Sequence, residues 1–201
     1  FLSAIYNRSS EKEIVFDLDL DLENPLYGLG HRLQKGKRLV IRGKTGYWTG
    51  YEASGVVINF GETGFGMGRG ASGMVINYGK ADNEMGSEAS GVVINFGETG
   101  FGMGRGASGM VINYGKADNG MGYGASGVVI NFSEADKTMG FLTSGLVINC
   151  GKADERMGEF AKGIVLALRD PASFGDISRA KLVLKAEDCK KIPELGEYLE
   201  N

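Results

Sequence analysis

The sequence predicts an all-β fold, a single-stranded parallel β-helix (solenoid) of 18-residue coils with terminal caps, and three observations carry that prediction. The phrase ASGVVINFGETGFGMGRG occupies residues 53–70 and recurs letter for letter at 89–106. Looser copies start at 71, 107, 125 and 143, with degenerate ones at 35, 161 and 179, so the period is 18 residues without an insertion. Each block holds one β-rich run, GVVINFG or GMVINYG, followed by glycine-rich turns with no helical periodicity. A strict short period makes each block one supersecondary unit stacked on its neighbours, so positions 18 apart become columns in space.

In chain order, residues 1–34 read as an N-terminal cap and edge strand. Within them EIVFDLDLDLEN alternates apolar and acidic residues as a half-buried strand does, and its acids discourage edge-to-edge association. Residues 35–186 read as the solenoid. About nine coils at one strand spacing, roughly 4.8 Å, give a rod core on the order of 40 Å long. Glycine recurs at Gly55, Gly73, Gly91, Gly109, Gly127, Gly145 and Gly163, and the glycines are expected to supply positive-φ corners and to let one coil's backbone lie close on the next. Residues 187–201 read as a C-terminal cap, with a possible short helix from about Pro193 after a last strand around LVLK.

Three columns follow from the stacking. Asn59, Asn77, Asn95, Asn113, Asn131 and Asn149 form an amide ladder that can hydrogen-bond along the axis. Met67, Met85, Met103, Met121, Met139 and Met157 read as corner packing by a flexible side chain rather than as a soft-metal site. Lys44, Glu62, Lys80, Glu98, Lys116, Glu134, Lys152 and Asp170 alternate in sign, so each charge is expected between two opposite ones. That alternation explains duplication in pairs of coils: the unit 53–88 differs from 89–124 only at Glu84/Gly120, Ser87/Tyr123 and Glu88/Gly124.

Composition bounds the function. A net charge of −3 gives no whole-molecule attraction for nucleic acid or anionic lipid, so neither is expected as a partner. Thirty-four glycines accompany only three prolines and ample aliphatic residues, which argues against disorder. Two cysteines, Cys150 and Cys189, are too few for a disulfide framework, and a reduced cytoplasmic chain is the default. No run approaches the roughly 18 apolar residues of a membrane span.

Tempting motifs fall away on inspection. GFGMGRG imitates a dinucleotide fingerprint, but a strand follows it where a helix N-terminus should hold the pyrophosphate. The GKT at 43–45 lacks the first glycine of a phosphate loop, because Arg38 stands there. Left-handed β-helix acyltransferases also use about 18 residues per coil, yet their six-residue aliphatic step is absent: from Val57 it meets Thr63 and Arg69. The related zinc enzymes need three histidines, and the chain has only His31. Asp17, Asp19 and Asp21 would share a strand face but lack a calcium-loop glycine turn. His31, Arg32, Lys35, Lys37, Arg38, Arg42 and Lys44 form the one basic cluster, without interleaved aromatic platforms, and read as a solvated cap. No catalytic, cofactor or metal residue is assigned.

The pattern RLVIRGKTGYWTGYEASGVVINFGETG, followed by Met-Gly and a further ASGMVIN, resembles the glycine-rich repeats of the GXGXG domain. That domain is found at the C-terminus of the large chain of glutamate synthase and in one of the component chains of formylmethanofuran dehydrogenase. The likeness spans about residues 28–168. It implies a right-handed parallel β-helix that carries no catalytic residues and acts as a scaffold between domains or subunits. The chain departs from it in the regularity of its repeats and in Ala-Ser-Gly where the family often has Gly-Gly.

One compositional excess points to function. In VVINF, alternation sends Val56, Ile58 and Phe60 to one side and Val57 and Asn59 to the other, so both sides carry apolar residues. The expectation is a non-enzymatic scaffold whose repeated flat face meets another protein chain or a second copy of itself. A polysaccharide- or surface-binding rod is the alternative, resting on the column Phe60, Tyr78, Phe96, Tyr114 and Phe132; an acyltransferase-like enzyme comes third.

Overall fold

The computed structural model describes residues 2–18, 25–169 and 171–189. A short helix, α1 (Leu2–Arg8), precedes ten strands: β1 (Glu13–Asp17), β2 (Arg38–Arg42), β3 (Val56–Asn59), β4 (Met74–Asn77) and β5 (Val92–Asn95), then β6 (Met110–Asn113), β7 (Val128–Asn131), β8 (Leu146–Asn149), β9 (Ile164–Ala167) and β10 (Leu182–Leu184). A last turn of helix, α2 (Ala186–Cys189), follows. All ten strands form one sheet in sequence order, every pair parallel. From β2 to β10 the register is one repeat, Val56 opposite Met74 and Met74 opposite Val92. The chain is thus an all-β solenoid of about 18 residues per turn. The sheet starts inside the N-terminal segment, where Glu13 pairs with Arg38. Asp19, Asp21, Asp170 and the helix expected from Pro193 lie outside the described residues.

A second line of parallel bridges runs Thr45, Thr63, Ala81, Thr99, Ala117, Ala135 and Ala153 along the far side of the strand corner. Between the two lines lies a narrow core, built from the columns headed by Ala53, Val57, Asn59, Thr63 and Met67, all buried. Met67 through Met157 are essentially inaccessible, so the methionine column is core packing. Thr49 stands one coil ahead of it in the same column.

The turn that closes each coil explains the glycine count. Residues 66, 68 and 70 all have positive φ, and their amides donate alternately to the next coil (Gly66 to Asn83), the previous one (Gly68 to Thr49) and the next again (Gly70 to Ser87). A Cβ on Gly68 would point inward to within 3.0 Å of Val75, whereas one on Gly66 meets nothing. The inner column is therefore glycine in every coil from Gly50 to Gly158, while the outer ones admit Trp48, Glu84, Thr138 and Glu52 at positive φ. Gly73 serves differently: a Cβ there would collide with the carbonyl of Gly55 in the coil below.

Helix α1 closes the N-terminal end. Tyr6 is buried and donates its hydroxyl to the Arg38 carbonyl at 2.8 Å, and Asn7 donates to the Arg32 carbonyl at 2.9 Å. In β1, Ile14 and Phe16 turn to the core and Val15 is exposed, as the alternating pattern requires.

Candidate interaction surface

On each strand Val57 and Asn59 or their equivalents point inward, so the outward side carries Val56, Ile58 and Phe60. Stacked, these become three adjacent apolar columns. The first reads Val56, Met74, Val92, Met110, Val128, Leu146 and Ile164. The second is isoleucine at each level from Ile58 to Ile148. The third is a stack of aromatic rings, Phe60 to Phe132, with centroids 4.7–4.8 Å apart and planes within 7° of parallel. That distance is one strand spacing. Phe60 is 52% exposed and the other four rings 41–45%, although each has a neighbour on its face. Arg42 precedes the stack in its column and Cys150 follows it. Cys150 carries a free thiol, and partial burial pushes its pKa up.

Ring orientation bears on what this column can hold. A sugar platform needs the open face of an aromatic ring, where its negative quadrupole lies. Here the ring faces are turned to one another, and chiefly edges reach solvent.

The charge column borders the aromatic one, two residues further along each coil. Lys44 pairs with Glu62 at 3.3 Å and Lys80 with Glu98 at 3.7 Å, all four side chains at least 59% exposed. Lys116 turns instead to Asp136, at 3.4 Å. Among the described residues the column thus forms two separate pairs, not a charge held between two opposite ones at every level, and Asp136 draws off one lysine. A shallow open cleft of about 380 Å³ runs beside it, lined by Tyr27, Tyr47, Glu62, Lys80 and Asp82 among others.

The asparagine ladder is buried. Each Nδ2 donates to the Oδ1 of the next level at 2.9–3.0 Å from Asn59 to Asn149. The same nitrogen donates to the carbonyl two residues on, as from Asn59 to Gly61. The ladder ends where Ile41 replaces asparagine, which leaves Asn59 Oδ1 without a donor. It holds the corner and faces no solvent.

The remaining sequence candidates are accounted for locally. Of the basic cluster, Lys37 donates to the carbonyls of Ser9 and Glu11, Arg38 meets Glu13 at 3.2 Å, Arg42 meets Asp17 at 4.0 Å, and Arg32 meets Glu52 at 2.7 Å. The Arg32 guanidinium holds the Glu52 carboxyl below its ordinary range. His31 stacks at a tilt on Tyr51. Among the described residues no group of three or more His, Cys, Asp or Glu could hold a metal ion, and no helix is long and apolar enough to cross a membrane.

Sequence reasoning missed one cluster. Arg69 meets Glu84 at 3.3 Å and Glu88 at 3.0 Å, while Arg105 reaches back to Glu84 at 3.5 Å and lies over the Tyr123 ring. Positions 84, 87 and 88 against 120, 123 and 124 are where the two long units differ, so the changes exchange acidic partners for an aromatic one.

Comparison with known families, with curated proteins and with solved structures found no match.

Proposed function

We propose that this chain is a non-catalytic scaffold whose outward sheet face docks against another protein chain, itself or a different one. The observation that carries the reading is the run of three contiguous outward apolar columns over five or more levels, on a strand side where a free sheet reads polar. The likeness to the GXGXG repeats, whose β-helix is non-catalytic and sits between domains, supports it. A reducing compartment such as the cytoplasm fits two cysteines and a free Cys150. The polysaccharide reading has an outward aromatic column in its favour, but that column offers edges rather than faces.

The test compares two sets of substitutions. Threonine at Val57, Val75, Val93 and Val111 removes buried methyl groups and places hydroxyls in the core, and should unfold the chain. Threonine at Val56, Met74, Val92 and Met110 should keep the β-sheet spectrum and lower the sedimenting mass of the native particle. An unchanged mass in the second set, from a particle already monomeric, sinks the reading.

A further inference from the structure

The outward face changes character from each level to the next and repeats every second level, and all its alternations share one phase. Levels with Val56, Val92 and Val128 carry Phe60, Phe96 and Phe132 beside glutamates, while levels with Met74 and Met110 carry Tyr78 and Tyr114 beside lysines. Copying a two-coil unit carries these alternations together, but stacking within one chain does not itself call for Phe and Tyr in turn, since every neighbouring pair stacks at the same 4.7–4.8 Å.

Resting on the interaction reading above, we propose that the occupant of this face is a second copy of the chain. The copies pack face to face about a two-fold axis that runs along the strand direction, so that their solenoid axes are antiparallel. Such a rotation lays each column on its own copy with the levels reversed. When the axis passes between two adjacent levels, every Glu level meets a Lys level, every Val meets a larger aliphatic, and every Phe among the five stacked rings except Phe60 meets a Tyr. An axis through a level does the opposite, setting Lys on Lys and Met on Met. The centred choice lies between Val92 and Met110 and sets Glu98 opposite Lys116 and Lys80 opposite Glu134. It also keeps Arg38, which heads the first apolar column, at the interface end, where it meets Glu13. A face from residue 54 to 62 across and over the six levels from Val56 to Leu146, which this axis maps onto themselves, covers about 750 Å² per copy, close to the roughly 800 Å² per partner of a stable interface. The charge column, exposed within one chain, falls at the rim, where it selects register and partner more than it adds affinity.

The test exchanges charges. One variant makes the column basic from residue 62 to 152 (Glu62→Lys, Glu98→Lys, Glu134→Lys) and another makes the same stretch acidic (Lys80→Glu, Lys116→Glu, Lys152→Glu). Wild type should sediment at twice the 21.4 kDa of the chain. Each variant alone should dissociate, its dimer constant weakened more than about tenfold, and an equal mixture should restore the doubled mass. Should either variant lose its β-sheet spectrum, Ile112→Arg takes its place: Ile112 is outward and beside the axis, so the fold should persist while the dimer is lost. Wild type that stays monomeric at about 0.1 mM, where an interface of this size is populated, overturns the proposal, as does a mixture that fails to re-associate. Monomeric pure chain that nonetheless sediments with another protein through the same face refutes the self-pairing alone. Monomeric chain in its native extract as well, unaffected by Ile112→Arg, refutes the docking reading with it.

Discussion

The side-chain amide of Asn95 donates to the side-chain carbonyl of Asn113 at 3.0 Å, with both residues fully buried. Asn95 leaves no spare polar atom, because the same Nδ2 also donates to Gly97 and the Oδ1 accepts from Asn77. Asn95→Ala orphans the Asn77 donor, the Asn113 acceptor and the Gly97 carbonyl. The expected loss is about 2–4 kcal/mol, read from the urea midpoint. Asn95→Asp adds a pH signature. Burial raises the folded pKa of the new carboxyl, so the native state binds more protons than the unfolded one above the unfolded value of about 3.9. The penalty relative to wild type should therefore be smallest at acid pH and grow as pH rises through that window. A penalty independent of pH argues that the site is wet.

Two glycines two residues apart should answer differently to alanine. Gly66 and Gly68 both have positive φ, so each substitution incurs backbone strain of about 1–2 kcal/mol. Gly68→Ala adds a methyl aimed at Val75, at 3.0 Å, while Gly66→Ala meets open space. Gly68→Ala should thus lower the denaturation midpoint clearly more than Gly66→Ala. Equal losses would show that strain alone decides.

Charge effects should follow burial. Glu98→Lys sets three lysine levels in succession, but the Lys80 and Glu98 side chains are 65% exposed, so a loss under about 1 kcal/mol that shrinks in high salt is expected. Glu84 is only 17% exposed and serves both Arg69 and Arg105. Glu84→Gln should cost more and resist salt better, and a reversed order in paired denaturation curves would contradict the geometry.

These residues also show what the sequence could reveal. The 18-residue period displayed the columns, and with them the amide ladder, the buried methionines and the single parallel sheet, since one stacking step relates every level. It could not orient VVINF, because both sides of the strand are apolar. The deciding residue is Asn59, a polar side chain that turns inward only because its neighbours along the axis satisfy it. The pairing of Lys116 with Asp136 was hidden for a related reason: a column gives neighbours along the axis, whereas this bond also crosses to the adjacent column. Helix α1 has seven residues and one buried side chain, too little for a periodic signal. The inner turn column did carry a readable mark, glycine at every level beside columns that vary.

The N-terminal helix should act as a cap whose loss is felt locally. Tyr6 buries its ring and bonds the Arg38 carbonyl at the start of β2, and Lys37 lies over that ring at 5.1 Å. Tyr6→Phe keeps the packing and removes the bond to the Arg38 carbonyl and the longer one from the Arg38 amide, which still donates to Lys12, so about 1 kcal/mol is expected; Tyr6→Ala removes the ring as well, for about 3–5 kcal/mol. In a solenoid each coil touches only its neighbours, so the damage should spread from the end instead of reaching all levels together. Amide exchange in Tyr6→Ala should rise first in β1 and β2 and fall back to wild-type rates by β6. Uniform acceleration across all ten strands would mean that the solenoid unfolds as one unit and that α1 matters only to its total stability.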